Sequence, residues 1–187
     1  MSLSISSMGT LLVRLTLILL AALGLAPAAF AQTSITVSQT TTGTINGTTT
    51  CTAPLVRNFT VANVFTVADV NLGVLATHTW RGDLQITLQA PNGTNNTSGD
   101  NFNVLLDDAG SQVVNTDSPT GNHTTTAPPY QNTFRPNNPL SAFNGAASNG
   151  TWRLEICDLF PSADNGSFRR ADLTLTSAPT NFADLSL

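Results

Sequence analysis

"GTWRLEICD", residues 150 to 158, decides the fold. A turn glycine opens it, apolar and polar residues then alternate, and an acid closes it. Period two assigns Trp152, Leu154 and Ile156 to one face and Arg153, Glu155 and Cys157 to the other. This is a strand with one face in a core, and it carries a cysteine on the face that should meet solvent. The rest of the chain reads in the same way. "DLQITLQA" (83–90) turns Leu84, Ile86 and Leu88 inward, and "ADVNLGVLA" (68–76) puts Val70, Leu72, Val74 and Ala76 on one face. "RNFTV" (57–61), "FNVLLDD" (102–108), "LSAF" (140–143) and "FRRADLTLT" (168–176) read as further strands, with "SITVS" (34–38) a short one. "PNGT" (91–94) is a turn, and 83–90 with 102–107 reads as a hairpin across it. Residues 109–139 have no usable period and read as a long ordered loop. Short strands linked by turn-rich segments predict an all-β protein, an antiparallel β-sandwich or jelly roll.

Composition narrows the function. Only 10% of the 187 residues are charged, there is no lysine, and the net charge is −4. Solubility must come from Thr, Asn, Ser and Gly, which suit strands and turns better than helices. A phosphate backbone needs a basic footprint, so nucleic acid is not an expected partner.

The first 31 residues read as a signal peptide. Arg14 precedes the apolar run Leu15–Ala26, and "AFA" (29–31) gives a small-x-small cleavage pattern. The run is too short to span a bilayer, so no membrane anchor is expected after cleavage. Export bears on the two cysteines. In an oxidising compartment Cys51 and Cys157 are most simply a disulfide, with two unrelated thiols as the alternative. Such a bridge would clip the N-terminal segment, residues 32–56, across the outside of the sheet, which accounts for the outward cysteine.

Two long stretches then carry a resemblance. "ADVNLGVLATHTWRGDLQITLQAPNGT" (68–94) has a strand, His-Thr-aromatic, Gly-Asp-Leu, an alternating strand and a Pro-x-Gly-Thr turn. "LSAFNGAASNGTWRLEICDLFPSADNGSFRRADLTL" (140–175) has Phe-x-Gly, Gly-Thr-Trp, a strand ending in Asp, an Asp-x-Gly loop and a final strand. Together they resemble the P domain, or Homo B domain, of proprotein convertases and bacterial secreted subtilisin-like serine proteases, over residues 57–176. The sequence departs from that pattern at Arg169-Arg170-Ala171, where the family usually has an aromatic, and in the 109–139 insertion. The resemblance implies a non-catalytic β-sandwich that stabilises or targets a neighbouring serine protease domain. Residues 177–187 read as a linker, or as the start of a further module like those of long bacterial surface proteins.

The candidate site residues are few. Asp83, Asp107, Asp158 and Asp164 close or open strands, with Asp108 beside them. Hairpin pairing would bring Asp83 to Asp107, a shared loop brings Asp158 to Asp164, and a calcium site at one end of the sandwich requires both pairs to lie at that end. Six to eight oxygens suit calcium, and the resemblance, since P domains are linked to calcium, adds weight. The other reading is that these are turn aspartates satisfied by backbone amides. His78 continues an inward parity and reads as a packed structural histidine, while His123 lies in the polar loop. Trp80, Trp152, Tyr130 and Phe134 are the aromatics a carbohydrate- or protein-binding module of adhesin type could use. No Gly-x-Ser-x-Gly elbow or subtilisin-like Gly-Thr-Ser stretch occurs, so no enzyme activity is expected. The expected partners are a protease catalytic domain or other surface modules, outside the cell or at its surface.

Overall fold

The computed structural model describes residues 30–93, 95–98, 102–114, 126–161 and 164–181. The leader up to residue 29, His123 and residues 182–187 lie outside the described residues. Among the described residues twelve strands succeed one another: β1 (Phe30–Ala31), β2 (Ser34–Gln39), β3 (Gly43–Ile45), β4 (Leu55–Val61), β5 (Val67–His78), β6 (Leu84–Gln89), β7 (Asn95–Ser98), β8 (Phe102–Leu106), β9 (Asn132–Phe134), β10 (Gly150–Asp158), β11 (Gly166–Ser177) and β12 (Thr180–Asn181). One sheet of the sandwich runs β4-β10-β6-β7; the larger runs β2-β11-β5-β8-β9, with β3 also on β11, and β1 and β12 form a separate two-stranded pair. The all-β sandwich is thus the fold.

Alternation builds the core. Trp152, Leu154 and Ile156 of β10, Leu84, Ile86 and Leu88 of β6, and Phe59 of β4 face Val70, Leu72, Val74 and Ala76 of β5 and Leu173 and Leu175 of β11 in one buried cluster. Each such side chain taken from water contributes roughly 1.5–3 kcal/mol. Phe143 meets Trp152 edge-on, ring centroids 5.3 Å apart, and the indole Nε1–H donates to the Ser148 carbonyl at 2.9 Å.

A bulge in β11 shapes the outer face of the larger sheet. The register against β5 slips between Phe168 and Arg170, so Phe168 and Ala171 both face the core. The slip leaves Arg170 and Asp172 together on the outer face.

Three expectations are corrected. β6 does not pair with 102–107: its hairpin partner is β7, with Gln89 opposite Asn95, while β8 pairs with β5 in the other sheet. The turn is closed by Gly93, whose φ of 88° suits glycine and whose N–H reaches the Ala90 carbonyl at 2.9 Å. "LSAF" is a 3-10 helix, Leu140–Phe143, not a strand. Its two buried residues stand three apart, one 3-10 turn, so both point inward. The long loop also contains β9, which pairs parallel to β8.

Candidate functional site

Four strand ends converge at one pole of the sandwich. β5 ends on His78, β10 ends on Asp158, Asp83 precedes β6 and Asp164 precedes β11. His78 is buried. Its Nδ1 lies 2.5 Å from the Trp80 carbonyl, an acceptor, so that nitrogen carries a proton. Its Nε2 lies 3.4 Å from Asp158 Oδ2, both side chains fully buried. In a catalytic triad the carboxylate takes one ring nitrogen and the nucleophile the other. Here a carbonyl faces one ring nitrogen and a carboxylate at ion-pair distance faces the other, and the ring is sealed from solvent. The packed structural histidine is what the structure holds.

Asp158 Oδ1 accepts the Phe160 N–H at 2.8 Å, and Asp164 Oδ1 accepts the Thr79 hydroxyl at 2.7 Å. Burial pushes the Asp83 carboxyl above its ordinary value, and the Asp158 and Asp164 charges push it further, with His78 opposing. Asp107 is elsewhere. With β8 paired to β5, Leu106 stands opposite Leu72 while Ala76 faces Phe102, which carries Asp107 to the opposite pole. There Asp107 Oδ1 takes the Ala109 N–H at 2.8 Å. Asp108 accepts the Leu140 and Ser141 amides at 2.7 Å each, capping the 3-10 helix. The four-aspartate set is therefore split three to one. Among the described residues no group of three or more His, Cys, Asp or Glu side chains is arranged to hold a metal ion. As placed, these residues do not fit a calcium cage.

The clip is present at the same pole: Cys51 and Cys157 form a disulfide, Cα atoms 4.9 Å apart and 106 residues apart in sequence. The turn around Cys51 covers Cys157, which becomes buried, while Arg153 and Glu155 on the same face form a partly exposed ion pair. Above the acids lies an apolar tip. Trp80 is 65% exposed, Leu159 51% and Phe160 63%, and the Leu159 N–H joins their two loops through the Asp83 carbonyl at 2.7 Å. Trp152 and Phe134, by contrast, are core residues.

A second constellation lies on the outer face of the larger sheet. Asp172 Oδ2 accepts from the Tyr130 hydroxyl and from Arg170 Nε, both at 2.7 Å. Its Oδ1 accepts from Ser38 at 2.5 Å and from Arg170 Nη2 at 2.8 Å. Burial opposes ionisation of Asp172, but these hydrogen bonds and the Arg170 charge outweigh it and hold the carboxyl below its ordinary value. Hydrogen bonding to Asp172 raises Arg170 in turn, and burial pushes the Tyr130 phenol well above its usual range. Both departures from the family pattern, Arg170 and the insertion bearing Tyr130, meet here. Sequence reasoning noted each singly; the 42 residues between Tyr130 and Asp172 hid their contact.

Comparisons with known proteins agree with this architecture. The family model described as the proprotein convertase P-domain matches residues 67–175, more than half of the chain. The chain belongs to the P-domain family. Among solved structures it is similar to the serine protease of Aeromonas sobria in complex with the chaperone ORF2, at 17% identity and a TM-score of 0.52. The same protease solved without that partner gives 17% and 0.50. In both cases 79% of this chain is covered but only 27% of the protease chain, so the likeness is one of fold to part of a larger protein. No curated protein matches. Among the described residues, no helix is long and apolar enough to cross a membrane.

Proposed function

We propose that this P domain is a secreted, non-catalytic accessory module that stabilises or targets a subtilisin-like serine protease domain. The observation that carries the reading is the family match over residues 67–175, which takes in strands of both sheets of the sandwich. Its sealed His78 supports a structural role, since a general base must come within hydrogen-bond reach of substrate. The apolar tip formed by Trp80, Leu159 and Phe160 is the surface we assign to the docking contact. Exposed large side chains of this kind on adjoining loops are what interfaces bury.

The test is the thermal inactivation of a subtilisin-like protease domain from the same organism, with and without the secreted chain. A longer half-life is expected with the chain present. The gain should vanish in a Trp80→Ser, Phe160→Ser variant that melts like the parent. No change in half-life, or amidase turnover by the chain itself that disappears on His78→Ala, refutes the reading.

A further inference from the structure

The Arg170–Asp172–Tyr130 constellation borders a cavity of about 410 Å³ on the sheet's outer face, within the range of small-ligand sites, roughly 300–1,000 Å³. The Tyr130 ring lies close against β5 because residue 73 is glycine; a Cβ there would come within 2.0 Å of the ring. Thr36, Thr174 and Thr133 line the same space, the hydroxyls of the first two hydrogen-bonded to each other at 2.8 Å, with Pro128, Pro129 and the Tyr130 ring as its apolar surface.

We propose that this cavity binds a neutral saccharide, stacked on the Tyr130–Pro129 wall and hydrogen-bonded by the threonine hydroxyls and the outer edge of Arg170. The charge balance favours an uncharged ligand. Among the described residues Arg170 and Asp172 are the only charged ones in the lining, and they satisfy each other through two hydrogen bonds. With one charge of each sign already paired, neither an anion nor a cation gains a partner without breaking that pair. Polar contacts beside an apolar wall suit a ring with an apolar C–H face and a hydroxyl rim. An extended peptide is the weaker fit. β11 lies between β2 and β5, so its backbone groups are committed to neighbouring strands, and a peptide adding as a strand would pair along the edge of β2 and not over the Arg170–Asp172 pair. This site lies apart from the apolar tip, and its test does not depend on any protease.

The experiment is an NMR titration of the isotope-labelled secreted chain with cellobiose, maltose, chitobiose, the acidic digalacturonate and a proline-rich peptide. At least one neutral disaccharide is expected to give saturable shifts confined to residues 36–38, 128–133 and 170–174. Thr133→Arg, at an exposed rim position, should weaken that binding at least about tenfold, equivalent to 1.4 kcal/mol, with the melting temperature unchanged. Tyr130→Phe, which keeps the ring and removes its bond to Asp172, should weaken it less. Absence of saturable shifts with all three neutral disaccharides overturns the proposal. So do shifts mapping elsewhere, a response only to digalacturonate or the peptide, or binding unaffected by Thr133→Arg.

Discussion

Aspartates close strands at both poles of this sandwich, yet the two poles treat them differently. At the β8 pole Asp107 and Asp108 turn their oxygens to backbone amides of Ala109, Leu140 and Ser141, and their charges add to burial in raising the carboxyl of Asp69 on β5. At the His78 pole the charges of Asp158 and Asp164 add to burial in raising the Asp83 carboxyl. The residue type is the same; topology makes the difference. One pole receives acids that follow a single strand, β8, and are taken up at once by a turn and a 3-10 helix. The other collects the ends of β5, β6, β10 and β11 from both sheets, so acids distant in sequence face each other across the core's rim. An acid followed at once by a turn or a 3-10 helix is therefore taken up as a cap, while at either pole carboxylates from different strands still raise a neighbouring carboxyl.

The largest expected effect belongs to the His78 pole, because the clip holds it. Replacing both Cys51 and Cys157 by Ala removes a cross-link spanning 106 residues. In the chain-entropy model this costs about 4–5 kcal/mol, a fall of roughly ten degrees or more in melting temperature for a domain of this size. Calorimetry on the double variant measures it. A fall of only a degree or two would mean that the Thr50–Asp158 bridge and the Ala53–Thr50 turn bond hold the segment unaided.

The next prediction sharpens the contrast from the other pole. Asp108→Ala strips two amides of a charged acceptor, and Asp107→Ala strips one. Hydrogen bonds to charged groups are worth roughly 1.5–3 kcal/mol when buried, and partial exposure reduces this. Urea unfolding should therefore show a loss of about 2 kcal/mol for Asp108→Ala and about half of that for Asp107→Ala. Equal losses would show that the pole does not depend on capping.

Legibility in the sequence divides along the same line. Strand interiors announced themselves, because period two at Leu84–Leu88 and Trp152–Ile156 reflects burial of one face. The disulfide was legible because Cys157 broke that alternation. Pairing was not. The alternation of 83–90 says that one face is buried and nothing about which strand lies beside it. β7, all Asn, Thr and Ser, has no apolar residue to declare itself, whereas "FNVLL" looked the better partner and lies in the other sheet. That error carried Asp107 to the wrong pole. "LSAF" failed for a related reason: spacing of three between Leu140 and Phe143 was the signal, and a strand reading overlooked it. The Tyr130–Asp172 contact left no local signal, apart from one tyrosine and one arginine pair in a chain without lysine.

A third, smaller effect tests the crowding at the His78 pole through pH. The Asp83 carboxyl is raised, so the folded chain holds that proton more tightly than the unfolded chain does. Stability from this group is then present at low pH and declines as pH rises from the unfolded value, about 3.9, through the higher folded value. Asp83→Asn removes the charge and the slope. The variant should melt slightly above the parent at pH 7 and match it at pH 3. A variant that melts below the parent at pH 7 would show that the ionised carboxylate is wanted there.

The smallest expected effect is that of calcium, and it bears most directly on the two poles. A hard cation needs six to eight oxygens. The His78 pole offers three carboxylates, but Asp158 Oδ1 and Asp164 Oδ1 already accept from Phe160 and Thr79, and Asp158 Oδ2 faces His78. Recruiting them would mean breaking those contacts. The β8 pole offers Asp107 and Asp108, whose hydrogen-bonded oxygens serve as caps. Calcium against chelator should therefore move the melting temperature by no more than about a degree, since a ligand at 100 times its dissociation constant would add about 2.7 kcal/mol and several degrees. A shift of that size, lost in Asp83→Asn and kept in Asp107→Asn, would mean that the crowded acids close on an ion and that their mutual repulsion is the resting state of a binding site. A shift lost only in Asp107→Asn would invert the comparison, making the capped pole the one that binds.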